Sequence, residues 1–246
     1  QKGTLDRVEH FLERKKYRYE VIIVDDGSDD GSLELARKFI KENENFKLIE
    51  NTHLGKAGAV SAGVLAAQGD YILFTDMDQA TPIEELEKLL PYFEEGFDIV
   101  IGSRNTTRRG APFSRKIMAN GMIMLRSLLV GLKELKDTQC GFKAFSGELW
   151  SCMSPLLTVQ RFAFDVEFFH ILVNNRITIR RIPVYLNDFE SSRVKIFQDT
   201  LRTITDLLVV LTRSNHGLYR SQEILELESQ KYWHASAPHK SIDLTA

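Results

Sequence analysis

The chain has 246 residues, 43% of them hydrophobic and 27% charged, which suits one large folded domain. Its 32 Lys and Arg nearly balance its 34 Asp and Glu, and a net charge of −2 argues against a nucleic-acid-binding protein. Two cysteines are too few for a disulfide framework. The longest stretch without Asp, Glu, Lys or Arg (57–69) has 13 residues, whereas a membrane-spanning helix needs about 20.

Short apolar runs alternate with amphipathic ones along the chain. Strands are predicted at 20–24 (EVIIV), 46–49, 71–75 (YILFT), 97–101 (FDIVI) and 177–184. Helices are predicted at 4–16, 33–41, 56–67, 164–173 and 196–211. A further helix is expected to start at Pro82 with Thr81 as its N-cap. One domain is expected over 1–220, followed by a polar, weakly ordered tail over 221–246.

This alternation predicts an α/β fold, with a mostly parallel sheet and helices on both of its faces. In such sheets ligands bind beyond the carboxyl ends of the strands. Asp25 and Asp26 follow the first predicted strand, and Asp76 and Asp78 follow the third. We therefore look for the functional site among these acidic residues.

Asp76 and Asp78 can both reach one hard cation such as Mg²⁺ or Mn²⁺, which favours carboxylates together with phosphate oxygens. A solvated acidic strand end is the alternative interpretation. Asp25 and Asp26, in the run DDGS, can cap the next helix. Two adjacent carboxylates exceed what a cap requires, so one of them can also accept hydrogen bonds from the N–H groups of a nucleotide base.

Two further segments carry positive charge. Lys56, in GKAG at a predicted helix N-terminus, suits a phosphate, although a closely packed Gly/Ala helix explains the same residues. The segment 99–133 contains seven Lys and Arg and no acidic residue, with apolar residues between them. It predicts either a helix lying on an anionic membrane surface or an ordinary helix with one solvated face.

Taken together, the segments VIIVDDGSDDGS (21–32), GKAGAVSAG (55–63), GDYILFTDMDQATP (69–82) and IVIGSR (99–104) resemble the family 2 glycosyltransferases of the GT-A (Rossmann-like) fold. The resemblance covers about 19–211. Within the family, DTQCGFKAF (137–145) and RFAFDVEFF (161–169) are most similar to the dolichyl-phosphate (polyprenyl-phosphate) β-glucosyltransferases. The dolichyl-phosphate mannose synthases have a similar core.

The resemblance implies an inverting, metal-dependent transfer of a hexose from a nucleotide sugar, UDP-glucose above all, to a dolichyl or polyprenyl phosphate. It implies Mg²⁺ or Mn²⁺ on Asp76 and Asp78. The residues that it places on the donor are Asp25, Asp26, Lys56, Asp76, Arg193 and Lys195. Arg104 would meet a phosphate of the donor or acceptor, and Asp137 would orient the acceptor, with Asp165 and Glu167 as alternatives for that role.

Family members begin with a central strand that has no counterpart before Glu20, so the sheet is expected to lack its first strand and the chain to be N-terminally truncated. The resemblance also implies a peripheral protein on the cytosolic face of a membrane, held there by the basic segment 104–130. A full-length form with an N-terminal anchor is expected.

Four other interpretations compete. A donor such as GDP-mannose would make the protein similar to the mannose synthases. VIIVDD also resembles a receiver-like phosphoacceptor domain, but such a domain leaves everything after Lys133 unexplained. A sugar-nucleotide pyrophosphorylase would need an N-terminal Gly-rich phosphate loop, which is absent here. An inactive protein that still binds nucleotide sugars is the remaining alternative, because of the missing strand.

Overall fold

The computed structural model describes residues 3–15, 17–104, 140–159, 164–187 and 196–235. The strands are β1 (Val21–Asp25), β2 (Phe46–Glu50), β3 (Tyr71–Thr75), β4 (Ile99–Arg104), β5 (Phe142–Ser146) and β6 (Ile179–Val184). The helices are α1 (Thr4–Lys15), α2 (Ser32–Glu42), α3 (Gly55–Ala66), α4 (Leu90–Glu94), α5 (Gly147–Met153), α6 (Phe164–Asn174), α7 (Ile196–Asn215) and α8 (Gln222–Ala235). Short 3₁₀ turns lie at Ile83–Lys88 and Ser154–Leu156.

The described strands form two sheets. In one, β1 and β2 are parallel, with Val21 opposite Phe46. The other has the order β3-β5-β4-β6, in which β4 and β6 are parallel and β5 is antiparallel to both of its neighbours. The larger sheet is therefore mixed, because β5 runs in the opposite direction to its neighbours.

A gap separates β1 from β3. Backbone hydrogen bonds join β1 only to β2, and β3 only to β5, among the strands that the structure describes. A cavity of about 960 Å³ lies between the two strands and is lined by both of them together with α1 and α3. The Glu20 side chain accepts a hydrogen bond from the Gln68 N–H, so the starts of β1 and β3 lie close together. Each of the two strands thus has one edge without a hydrogen-bonded neighbour among the described strands.

Apolar residues cover both faces of the larger sheet. One cluster joins Phe145 and Leu149 to α6, α7 and α8, and the Phe145 and Trp150 rings stack with centroids 5.3 Å apart. A second cluster packs Leu89 and Phe93 against Val100 and Phe142. A third packs α1 against β1 and β2. Burial of both faces explains why β4 begins with the apolar run IVI (99–101).

Three elements differ from the sequence-based expectations. Ile83–Lys88 is a 3₁₀ turn after an extended Pro82, not an α-helix capped by Thr81, and Pro91 cannot donate the hydrogen bond that a continuous helix would need. Residues 222–235 of the expected weakly ordered tail form α8, because Ile224 is completely buried in the core. The strand β5 was not expected. Among the described helices, none is long and apolar enough to cross a membrane.

Candidate functional site

Polar side chains gather where β1 and β3 end and α3 begins. Asp25 ends β1 and Asp26 follows it, Asp76 follows β3, and Lys56 lies in the first turn of α3. Asp25, Lys56 and Asp76 all line the cavity between the two strands. The structure thus brings Asp25, Asp26, Asp76 and the predicted phosphate-binding lysine to one edge, as the strand-end rule leads us to expect, whereas Asp78 is not among the residues that line the cavity.

Asp25 is turned toward its own loop. Its Oδ2 accepts hydrogen bonds from the N–H groups of Gly27 and Ser28, each at 3.0 Å, and 9% of the residue is exposed. Burial raises the pKa of the Asp25 carboxyl, but hydrogen bonds from Ser28 and Gly27 outweigh it, so the pKa lies below its usual value. Asp25 therefore stays ionised and closes the turn after β1.

Asp26 connects the β1 loop to the start of α3. Its Oδ1 accepts hydrogen bonds from the Leu54 N–H at 2.8 Å and the Asn51 amide at 3.2 Å, and its Oδ2 accepts one from the Gly55 N–H at 2.7 Å. A carboxylate is favourable there because the first N–H groups of a helix lack partners and carry partial positive charge. Neither carboxylate caps α2, the next helix, because α2 begins after Gly31 without a side-chain hydrogen bond at its N-cap. Asp25 closes a turn and Asp26 caps α3 instead, and their contact with a donor stays a prediction.

Lys56 and Asp76 face each other across the site. The Lys56 Nζ lies 3.1 Å from Asp76 Oδ1, and about two-fifths (41%) of the Asp76 side chain is exposed. The same ammonium group lies 5.2 Å from the centre of the Phe74 ring. An exposed carboxylate beside a lysine at a helix N-terminus is an arrangement that can receive both a cation and a phosphate.

Asp78 belongs to a tight turn that follows β3. The Gln79 N–H donates to the Asp76 carbonyl at 3.0 Å, and Asp78 Oδ1 accepts the Ala80 N–H at 2.9 Å. Gln79 has a φ of 50°, which non-glycine residues rarely adopt, so the turn is strained. No group of three His, Cys, Asp or Glu side chains suited to a metal occurs in the described ranges. A metal ion bound there would need further oxygen atoms from a bound small molecule or from water.

Several predicted residues lie outside the described part of the chain. These are Asp137, Arg193 and Lys195, and all of the basic segment 104–130 except its first residue. Arg104 ends β4, where it pairs in register with Val184, and only its backbone is described. The roles predicted for these four residues stay predictions.

Asp165 and Glu167, the alternatives for orienting an acceptor, are buried in the interior. Asp165 pairs with Lys143, and Glu167 accepts hydrogen bonds from Thr158, the Val159 N–H and Tyr219. Their exposed fractions are 5% and 0%, so neither can reach an acceptor in this arrangement. The competing interpretation, that they are structural partners, fits better, although the cationic partner of Asp165 is a lysine and not an arginine.

Sequence reasoning missed two residues next to the site, Gly141 and Lys143. Both belong to the β5 region, which pairs with β3, and the Gly141 carbonyl accepts the Asp76 N–H at 3.1 Å. The signal in the sequence was slight, since a lysine in the middle of the run FKAF does not suggest a buried strand. A glycine just before that run was the only local hint of a close approach.

Comparison with known proteins identifies a family profile and several relatives that match this chain. The sequence profile described as "Glycosyl transferase family 2" matches residues 2–149. A dolichyl-phosphate beta-glucosyltransferase of Saccharomyces cerevisiae is 30% identical over 239 residues, which cover 89% of this chain and 72% of that protein. One of Drosophila melanogaster is 33% identical over 247 residues, covering 92% of this chain and 74% of its own.

A solved structure supports the fold at lower identity. Glucosyl-3-phosphoglycerate synthase of Mycobacterium tuberculosis, in complex with Mn²⁺, UDP-glucose and phosphoglyceric acid, superposes with a TM-score of 0.59 at 17% identity. The match covers 84% of this chain and 75% of that one. The predicted GT-A architecture is thereby confirmed.

Proposed function

This chain belongs to glycosyl transferase family 2 and is a glycosyltransferase, and we propose that it transfers glucose from UDP-glucose to a dolichyl or polyprenyl phosphate. The observation that carries the proposal is the meeting of Lys56 with Asp76 at the edge of a large cavity, where two strands end. The choice of glucose and of a lipid phosphate follows the curated relatives, which are dolichyl-phosphate beta-glucosyltransferases.

The donor binds between the ends of β1 and β3. Lys56 contacts the diphosphate, because an ammonium group in the first turn of a helix adds to the partial positive charge of the free N–H groups. Asp25 and Asp26 form the wall beside the base. Arg193 and Lys195 close over the diphosphate as the resemblance implies.

A divalent cation, Mg²⁺ or Mn²⁺, fits the residues that are present. Asp76 and Asp78 supply carboxylate oxygens, the ligand type that both ions prefer. The Asp76 carboxylate already forms an ion pair with the Lys56 ammonium group and is partly open to solvent. When bound, such a cation stabilises the negative charge that develops on the departing diphosphate. The neighbour from M. tuberculosis was crystallised with Mn²⁺ and UDP-glucose, which supports the same use here.

The acceptor is its own nucleophile. A phosphate monoester has a second pKa of about 6, so a phosphate oxygen carries the attacking electron pair at neutral pH. The bond from the anomeric carbon to the acceptor oxygen forms while the bond to the donor diphosphate breaks, and UDP leaves with that electron pair. No proton has to be removed, so the protein mainly positions and neutralises charge. Asp137 and Arg104 orient the acceptor phosphate.

The lipid acceptor places the reaction at a membrane surface. The basic segment 104–130 lies against the anionic cytosolic face, where each Lys or Arg contributes about 1 kcal/mol to attraction. Arg104 begins this segment and also ends β4. The first residue of the segment therefore lies at the end of a strand of the larger sheet.

The test is calorimetric titration of UDP-glucose and GDP-mannose, with and without Mn²⁺, on the wild type and on Asp78→Ala. Glu95→Ala, which removes an exposed carboxylate between α4 and β4, is the matched control. We expect Mn²⁺-dependent binding of UDP-glucose that Asp78→Ala abolishes and Glu95→Ala leaves intact. Transfer is then measured with a polyprenyl phosphate in vesicles that contain anionic lipid.

The outcomes separate the alternatives. A preference for GDP-mannose would favour the alternative that the protein acts like a dolichyl-phosphate mannose synthase. Donor binding without transfer would favour an inactive binding protein. If neither donor binds in the presence of Mn²⁺, the proposed donor site is wrong.

A further inference from the structure

The backbone of β5 runs directly beside Asp76. Thr75, the last residue of β3, lies opposite Phe142, the first residue of β5. The ladder continues for one more residue, because the Asp76 N–H donates to the Gly141 carbonyl at 3.1 Å. The position of the Asp76 backbone is therefore tied to that of Gly141.

Gly141 also leaves space for the Asp76 carboxylate. A Cβ atom added to Gly141 would lie 1.7 Å from Asp76 Oδ2 and 2.4 Å from its carboxyl carbon. The φ angle of Gly141 is not in the left-handed region, so a larger residue could adopt its backbone conformation. Glycine is thus required at this position for room, and that room holds the carboxylate of Asp76.

A buried ion pair fixes the chain just before Gly141. Lys143 Nζ donates to Asp165 Oδ1 at 2.8 Å and to the Cys140 carbonyl at 2.6 Å. The two side chains are 3% and 7% exposed, and the ammonium group lies within 5.8 Å of the centres of the Phe74 and Phe169 rings. A buried ion pair adds little net stability. We therefore look for a role of this pair in the hydrogen bond that Lys143 donates to the Cys140 carbonyl.

We propose that Gly141, Lys143 and Asp165 are positioning residues for Asp76. Asp165 orients Lys143, Lys143 holds the Cys140 carbonyl, and Gly141 presents a bare backbone against which the Asp76 carboxylate rests. In this role the three residues act through Asp76 and not through contacts of their own with a ligand. The inference rests on the proposed role of Asp76 in binding the metal ion and the diphosphate.

The first test compares Gly141→Ala with Gly147→Ala. At Gly147, which begins α5, an added Cβ meets its nearest heavy atom at 3.3 Å and no charged group. Mn²⁺ binding in the presence of UDP is measured by calorimetry and by electron paramagnetic resonance. We expect Gly141→Ala to raise the Kd for Mn²⁺ by about 10- to 100-fold, as other supporting residues of metal sites do. Gly147→Ala should stay near the wild type, and equal Kd values for both variants would overturn the role of Gly141.

The second test removes both charges together. The double variant Lys143→Met, Asp165→Leu leaves no lone buried charge, so it is expected to melt near the wild-type temperature. The double variant also removes the hydrogen bond to the Cys140 carbonyl. We therefore expect the Kd for Mn²⁺ to rise about tenfold. The KM for UDP-glucose should rise by a larger factor than that by which kcat falls. Asp165→Asn keeps an acceptor for Lys143 but leaves its buried charge uncompensated, so it should keep most of the affinity for Mn²⁺ while lowering the melting temperature. In the double variant, a lower melting temperature with an unchanged Kd would mean a purely structural pair and would overturn the proposal.

Asp76→Asn separates this inference from the proposed function. If it abolishes Mn²⁺ binding while the positioning variants bind normally, only the inference is wrong. If Asp76→Asn binds Mn²⁺ and UDP like the wild type, then the proposed metal site is wrong and the positioning role fails with it.

Discussion

The ammonium group of Lys56 lies 3.1 Å from a carboxylate oxygen of Asp76, so the first turn of α3 is joined by charge to the end of β3. A cation that binds Asp76 must compete with this lysine. A diphosphate that binds beside the cation offers the lysine a replacement for the carboxylate. Lys56 is therefore expected to oppose binding of the metal ion alone and to favour binding of the metal ion together with a nucleotide.

Lys56→Met is expected to change these two affinities in opposite directions. Loss of the competing ammonium group should tighten binding of Mn²⁺ alone by about two- to fivefold, the range that a partly exposed ion pair allows. Loss of the phosphate contact should weaken binding of UDP with Mn²⁺ by about tenfold or more. Electron paramagnetic resonance titrations with and without UDP measure both values. Lys88→Met, which breaks a surface pair with Glu85, is the control, and two unchanged affinities would contradict the prediction.

Asp26→Ala is expected to lower the free energy of unfolding by about 1–3 kcal/mol. The change removes the acceptor of the Leu54 and Gly55 N–H groups at the start of α3. Asp26→Asn keeps one oxygen and should lose about half as much. Urea unfolding measures the difference, and Asp29→Ala, at an exposed neighbour in the same loop, is the control. If Asp26→Ala and Asp29→Ala have equal free energies of unfolding, the hydrogen bonds from Leu54 and Gly55 to Asp26 add no stability.

Asp25 should make the stability depend on pH in a defined direction. Its pKa is lowered overall, because hydrogen bonds from Ser28 and Gly27 outweigh the opposing effect of burial. A carboxyl with a lowered pKa in the folded state stabilises the protein above its unfolded pKa of about 3.9, and this contribution is lost as the pH falls through the folded value. Asp25→Asn should therefore flatten the fall in stability below about pH 4.

Urea unfolding of the wild type and Asp25→Asn over a series of acidic pH values measures this effect. The two free-energy curves are expected to lie farthest apart at neutral pH and to converge in acid. Curves that stay parallel would show that the Asp25 hydrogen bonds do not favour the ionised form.

The strands and helices were predicted correctly where a local sequence pattern determines the structure. The strands β1, β3 and β4 are continuous apolar runs that end at polar residues, and each was expected from the sequence. β5 was missed because Lys143 interrupts its apolar run, and only Asp165, far along the chain, makes that lysine acceptable in the core. α8 was missed because few of its described side chains reach the core, among them Ile224 and Leu227.

The candidate site was predicted as a set of residues but not as a set of contacts. The strand-end rule brought Asp25, Asp26 and Asp76 to one edge. It could not distinguish a cap from a ligand, because the partners of Asp26 are Leu54 and Gly55, which follow the next strand. Nor could it find Gly141, whose importance depends on an antiparallel pairing that leaves no local pattern.

Glu167→Gln is expected to destabilise the protein without changing its affinity for the donor. The carboxylate is completely buried and accepts hydrogen bonds from Thr158, Val159 and Tyr219. An amide offers one acceptor fewer and two donors that would lack partners, a loss of about 1–3 kcal/mol. Thermal unfolding and calorimetry with UDP and Mn²⁺ measure the two properties. An unchanged melting temperature with lost transfer to the lipid phosphate would return Glu167 to the role of orienting the acceptor.

Amide hydrogens on the cavity-facing edges of β1 and β3 are expected to exchange faster than those of β5. In the described part of the chain, each of these two strands has a hydrogen-bonded neighbour on one side only, whereas β5 pairs with both β3 and β4. Unpaired edges open at little cost, so a difference in exchange rate of about tenfold or more is expected. Hydrogen exchange followed by nuclear magnetic resonance resolves individual amides, and alternate residues along β1 should differ because only one side is paired. Uniformly slow exchange along β1 and β3 would mean that another strand covers both edges. The cavity of about 960 Å³ between the two strands would then not be open to a donor along its whole length.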